Sequence, residues 1–115
     1  MNYVIKETTS LEDGTHKGTI TGVTENERGE QKYKYIDVLI KPEDADFEVK
    51  YGCPAPKTTL NPKSRIGKLL AQFTELEELG EINPEEVLTG KKISFMSIQK
   101  DGFVEVVEDS IKLIQ

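Results

Sequence analysis

The apolar positions of this chain change period along its length. In YKYIDVLIK, residues 33–41, Ile36, Val38 and Ile40 fall on one side, and Tyr33, Tyr35, Asp37 and Leu39 on the other. That two-residue period predicts a strand. FEVKY, residues 47–51, alternates in the same way, with Phe47, Val49 and Tyr51 on the core side. KKISFMSIQ, 91–99, reads as another strand, and FVEVVEDSIKLIQ, 103–115, as a returning strand interrupted near Asp109. In HKGTITGVTE, 16–25, Ile20 and Val23 are three apart with Gly18 and Gly22 beside them. Glycines in a strand that breaks alternation predict a bulge or tight bend. Asn2–Lys6 reads as a brief strand and Glu12-Asp13-Gly14 as a turn.

The period changes to helical in NPKSRIGKLLAQF, 61–73, where Ile66, Leu69, Leu70 and Phe73 stand at i, i+3, i+4 and i+7. Asn61 is the expected N-cap with Pro62 at the first helical position, and Gly80 the expected end of the helical region. Asn83-Pro84-Glu85-Glu86 opens a second, short helix that stops at Gly90. Between the regular segments, ENERGEQK, 25–32, reads as a hairpin loop around Gly29, and PEDAD, 42–46, as a turn. GCPAPKTTL, 52–60, is irregular because of Pro54 and Pro56, and Lys100-Asp101-Gly102 is a tight hairpin turn.

Three strands, a helix and two strands in 115 residues predict one mainly β domain over residues 1–115, with 1–14 as a lead-in. The order fits the five-stranded Greek-key barrel called the OB-fold, with one helix between strands three and four. The apolar helix face would plug the open end of that barrel. A β-sandwich with an inserted helix is the rival, for which five strands are few.

Charge sharpens this picture. The net charge is -6, yet residues 49–74 hold Lys50, Lys57, Lys63, Arg65 and Lys68 and no Asp or Glu. An acidic total opposes generic polyanion binding, whereas a segregated basic stretch permits a local site. No apolar run approaches the ~20 residues that span a bilayer, and the first residues carry no signal-peptide pattern. The expectation is a cytoplasmic protein without a membrane partner. The single Cys53 and single His16 build neither an internal disulfide nor a zinc site by themselves.

Enzyme chemistry finds no support in the pattern. His16 reads as a surface residue on a strand, without a recognisable nucleophile and orienting acid. Gly67-Lys68 and Gly90-Lys91-Lys92 lack the glycine spacing of a phosphate loop. Glu75, Glu77, Glu78, Glu81, Glu85 and Glu86 read as a solvated helical face, with no calcium-loop spacing. The expectation is a non-enzyme with no catalytic residue, metal or cofactor.

Binding chemistry is better represented. OB-folds hold oligonucleotides on the face of strands two and three, and single strands need a basic groove with aromatic platforms. The candidates are Tyr33 and Tyr35 flanked by Lys32 and Lys34, Lys50 on the third strand, Lys57, Lys63 and Arg65 around the helix head, and Lys100 with Phe103 at the last hairpin. Each has a plainer reading too. The tyrosines are good strand formers, Phe103 suits a core, and the lysines suit any surface. Tyr51 shares the core parity of its strand.

DGTHKGTITGV, YKYIDVLI, LNPKSRIGKLLAQF, INPEEVLTGKKISFM and GFVEVV together cover most of the chain. With its Ser-Arg-Ile-Gly-Lys-Leu-Leu helix followed by Leu-x-Gly-Lys-Lys, the sequence resembles a loose group of small OB-fold-like proteins of phages and other mobile elements. That resemblance implies binding of single-stranded DNA; joined to the residue pattern, it gives the expectation of a non-catalytic, sequence-independent binder of single-stranded nucleic acid. The alternative from a different class is a protein-interaction or structural module, with the molecule a monomer or a homodimer.

Overall fold

A computed structural model describes residues 1–3, 11–77 and 80–114. Part of the brief strand expected at Asn2–Lys6 therefore lies outside the described residues. Among the described residues six strands and two short helices follow one another: β1 (Gly14–Arg28), β2 (Tyr33–Pro42), β3 (Val49–Pro54), α1 (Arg65–Leu70), α2 (Pro84–Leu88), β4 (Lys92–Lys100), β5 (Phe103–Val106) and β6 (Lys112–Leu113). The domain is mainly β, as expected. All ladders are antiparallel, in the order β3-β2-β1-β4-β5, with β6 also on β4. That path is open: among the described residues no ladder joins β3 to β5, although the two strands lie against each other.

The long first strand serves both halves of the sheet. Its residues Gly14–Thr19 pair with β4, and Gly18–Arg28 pair with β2. The register shifts between Ile20 and Gly22, so Thr21 is the extra residue of the bulge that the glycines announced. Gly18 lets the strands approach closely: a Cβ there would lie 2.8 Å from the Lys41 carbonyl oxygen. Just ahead of the bulge, Ile20 exchanges hydrogen bonds with the chain leaving α2, donating to Lys91 O (2.9 Å) and accepting from Gly90 N (2.7 Å).

Several boundaries differ from expectation. β1 runs to Arg28, so half of the expected 25–32 loop is strand, and the turn is confined to Gly29–Lys32. Gly29 (φ 80°) and Lys32 (φ 53°) supply its left-handed positions, and Lys32 N donates to Gly29 O (3.1 Å). β3 begins at Val49 and includes Pro54, leaving Phe47 outside the strand. A proline is tolerated there because β3 is an edge strand and Pro54 is its last residue. Asp101 and Gly102 both have positive φ, which makes the expected tight hairpin. The interruption near Asp109 is real: β5 and β6 flank it, and Asp109 has φ 62°.

The cap of α1 is Ser64, not Asn61. Asn61 instead heads a turn one step earlier, where its Oδ1 accepts from Lys63 N (2.9 Å) and its carbonyl from Ser64 N (2.9 Å). Ser64 Oγ then donates to Asn61 O (2.6 Å) and accepts from Gly67 N (3.1 Å), as a helix cap must. The helix ends at Leu70, well before Gly80, because Gln72 N and Phe73 N turn back to the carbonyls of Leu69 and Leu70. The Gln72 amide reaches away to the last strand, giving Nε2–H to Ile111 O (2.6 Å) and accepting from Leu113 N (3.2 Å). Glu75, Glu77 and Glu81 are exposed but not helical, and Glu78 lies outside the described residues; Glu85 and Glu86 are on α2, capped by Asn83 as expected.

Ile66, Leu69 and Leu70 are buried and Phe73 half-buried, so the apolar face of α1 belongs to the core with Ile36, Val38, Ile40 and Phe95. Tyr51 is buried there too, as its parity required. Cys53 is fully buried, and burial pushes its thiol up to about 12, with a smaller opposing pull from Arg65. A thiol reagent at pH 8 is expected to leave Cys53 unmodified in the native protein and to label it on unfolding; fast native labelling would refute the burial. A raised acid pKa favours folding below the unfolded value near 9, and that advantage is lost as pH climbs toward about 12. By pH 10, wild type should lose about 1 kcal/mol more stability than Cys53→Ala, read from denaturant midpoints.

Candidate nucleic-acid interface

The alternation of β2 sends Tyr33, Tyr35, Asp37 and Leu39 to the sheet face opposite the core. Across the ladders, Arg28 stands beside Tyr33, Asn26 beside Tyr35, Gly52 beside Asp37 and Lys50 beside Leu39. Tyr33 is 61% exposed and Tyr35 half-buried. The Arg28 guanidinium lies over the Tyr35 ring, 4.9 Å from its centroid. Arg28 Nη2 also donates to Asp37 Oδ1 (2.5 Å), and Asn26 Nδ2 to Asp37 Oδ2 (2.6 Å). Asp37, expected on a solvent face, is fully buried beneath these partners. Gly52 makes room, since a Cβ there would lie 2.9 Å from Arg28 Nη1 and 3.3 Å from Asp37 Oδ1.

Arg28 was missed by sequence reasoning because it sat inside an assumed loop. Extending the strand by parity would have found it, since residues 22, 24, 26 and 28 then share one face. The other candidates divide among separate places. Lys32, Tyr33, Lys34, Tyr35 and Lys57 line one broad groove of about 1820 Å³. Its lining is mixed in charge, because Glu75, Glu77, Glu81 and Glu86 contribute to it as well. Lys50 is exposed on the outer face of β3, and Lys63 is exposed just ahead of α1.

Arg65 does not point to open solvent. Its Nη1 donates to Gly52 O (2.8 Å) and its Nη2 pairs with Glu108 (3.3 Å). Burial works against its charge, but the bond and charge of Glu108 outweigh this and raise its pKa. Lys68 pairs with Asp109 at 3.5 Å. Part of the basic stretch is thus answered by acids that follow β5. Lys100 and Phe103 pair with each other at the β4–β5 hairpin, and Phe103 is 77% exposed. That hairpin adjoins the first residue of β1, which pairs with Ser97, whereas Tyr33 pairs with the last residue of β1. The two aromatic positions therefore belong to opposite ends of a 15-residue strand.

His16 is less exposed than its strand position suggested, with 9% of its side chain accessible. Its ring meets Glu12 O (2.6 Å) and Asp44 Oδ2 (3.0 Å) and packs near Phe95, so it ties the lead-in turn to the loop after β2. Among the described residues no three His, Cys, Asp or Glu side chains converge as metal ligands, and no helix is long and apolar enough to cross a membrane. The chain matches no family model, and no curated protein matches it.

Proposed function

We propose that this is a non-catalytic OB-fold-type domain that binds single-stranded nucleic acid, with DNA the expected form, without sequence choice. The fold part of this reading draws on the strand path, in which β1 is shared by two halves and β3 packs beside β5. A partly open Greek-key barrel has that character, and α1 would close its end. The observation that carries the binding part is the Arg28–Tyr35–Tyr33 surface. One exposed aromatic ring stands two residues, roughly 7 Å, from a ring already stacked by a guanidinium. Arg28 is held in place by a buried carboxylate, so the platform is ordered before any ligand arrives. Lys50 on β3 and Lys34 on β2 add charge nearby.

Fluorescence anisotropy with labelled oligo-dT at low salt, against duplex DNA and against rising salt, tests this. Strand-selective binding whose affinity falls with salt, by ~0.7 log units per neutralised phosphate per log unit of salt, is the expected result. No binding at low salt overturns it. Tyr33→Ala should weaken binding about tenfold, from the loss of one stacked base, without moving the denaturation midpoint, because the side chain is mostly exposed.

One observation favours a protein-interaction reading as well. Met96, Ile98 and Phe103 are exposed together on the outer side of the β4–β5 hairpin. A protein partner on that surface would be lost in Phe103→Glu and keep its affinity in Tyr33→Ala, the reverse of the nucleic-acid expectation for Tyr33.

A further inference from the structure

A second concavity lies between α1, β3 and the segment joining β5 to β6. Its volume is about 470 Å³, small-molecule size. The floor is apolar: Tyr51, Leu69 and Ile111 are all buried. The rim is cationic, with Arg65, Lys68 and Lys112 converging from α1 and β6. Among the described residues Lys112 has no ion-pair or hydrogen-bond partner for its ammonium group. Lys68 is held only by the exposed 3.5 Å contact to Asp109, a pair worth little in water.

Two donors are also left over. The Tyr51 hydroxyl oxygen accepts from Asp109 N (3.2 Å), which leaves its own hydrogen free to donate. Arg65 Nε is buried without a partner. The carboxylates of Glu108 and Asp109 already approach this rim, on Arg65 and Lys68 respectively. Asp109 is presented there by a left-handed backbone. The rim thus already coordinates oxygen anions supplied by the chain itself, and the neighbouring space is open.

We infer that this cleft is a site for a small free oxyanion, a carboxylate or phosphate group, held by Lys68 and Lys112 with the Tyr51 hydroxyl as a neutral donor. Asp109 competes for Lys68. The site is separate from the Tyr33–Tyr35–Arg28 surface and stands whether or not that surface binds nucleic acid.

The test is a titration of the ¹⁵N-labelled protein at low ionic strength with sodium phosphate and, separately, sodium acetate, each against matched sodium chloride. Saturable amide shifts confined to Lys68, Leu69, Gln72, Asp109, Ile111 and Lys112 with either oxyanion support the site, and the tighter of the two names the group. Lys112→Ala should weaken binding about fivefold, from the loss of one partly exposed charged contact. Asp109→Asn should tighten it by removing the competitor, since asparagine tolerates the same backbone. Shifts that do not saturate, that equal those with chloride, or that survive Lys112→Ala unchanged overturn the inference.

Discussion

Gly67→Ala is expected to lower the unfolding free energy by about 2–3 kcal/mol, although alanine is the better helix former by about 1 kcal/mol. The reason lies outside the helix. A methyl at position 67 would overlap the Asn61 carbonyl oxygen and lie 2.8 and 2.9 Å from Pro62 Cα and its carbonyl carbon. These are backbone atoms, so no side chain can swing aside. Relief requires the Asn61–Pro62 turn to lift off α1. That turn holds the Ser64 N and Oγ bonds to Asn61 O, and Ser64 in turn caps Gly67. One methyl therefore strains the cap as well as the packing. Urea denaturation of the single variant decides it: an unchanged or higher midpoint would mean that the turn does not pack on the helix.

Arg28→Ala should cost a similar amount, about 2–3 kcal/mol. Here the loss is electrostatic. Asp37 is fully buried and its carboxylate has two donors, Arg28 and Asn26. Removing Arg28 leaves a buried charge with one donor, which is far more damaging than losing a surface pair. The arginine itself is 46% exposed, so water can enter the space it leaves, and this keeps the cost below that of a wholly buried pair. Asp37→Asn preserves shape and removes the charge that needs compensation. In that background Arg28→Ala should therefore cost about 1–2 kcal/mol less, a coupling that a double-mutant cycle measures directly. A cycle that closes near zero would mean that Asp37 is hydrated in solution. The same substitution strips the stacked guanidinium from Tyr35, so oligo-dT affinity should fall alongside stability if the proposed face binds.

Much of the architecture was legible because local chemistry and global packing agreed. β2 alternates cleanly, since one face is core and the other holds tyrosines. The Gly18–Gly22 region bulges where two strands approach and β1 changes partner. Asp101-Gly102 can take the positive φ values that a two-residue hairpin needs. The failures have equally local causes. Asn61-Pro62 is a good helix opening in isolation, but Ser64 offers a cap three residues nearer the apolar face, and the Asn61 turn is used to support it. The polar run at 25–28 resembled a loop because its side-chain partners, the Asp37 carboxylate and the Tyr35 ring, are contributed by the next strand. Asp37 had the parity of a solvent residue, and nothing adjacent in sequence showed that Arg28 and Asn26 would cover it. The basic stretch looked free because Glu108 and Asp109, which answer Arg65 and Lys68, arrive some forty residues later. The candidate binding residues were chosen as residue types; their division among separate surfaces depends on register and packing, which periodicity does not carry.

The double service of β1 also sets an order of events during synthesis. The β1–β2–β3 meander can form from the first half of the chain, since its partners are hairpin neighbours. The other edge of Gly14–Thr19, however, finds its partners in Lys92–Ser97, more than seventy residues later. Until β4 leaves the ribosome, that half-strand has a bare edge of unpaired amides and carbonyls, open to any neighbouring nascent chain. A ribosome stalled before β4 would thus expose a half-built sheet with a ready template for mispairing, whereas one stalled after β4 would have closed it.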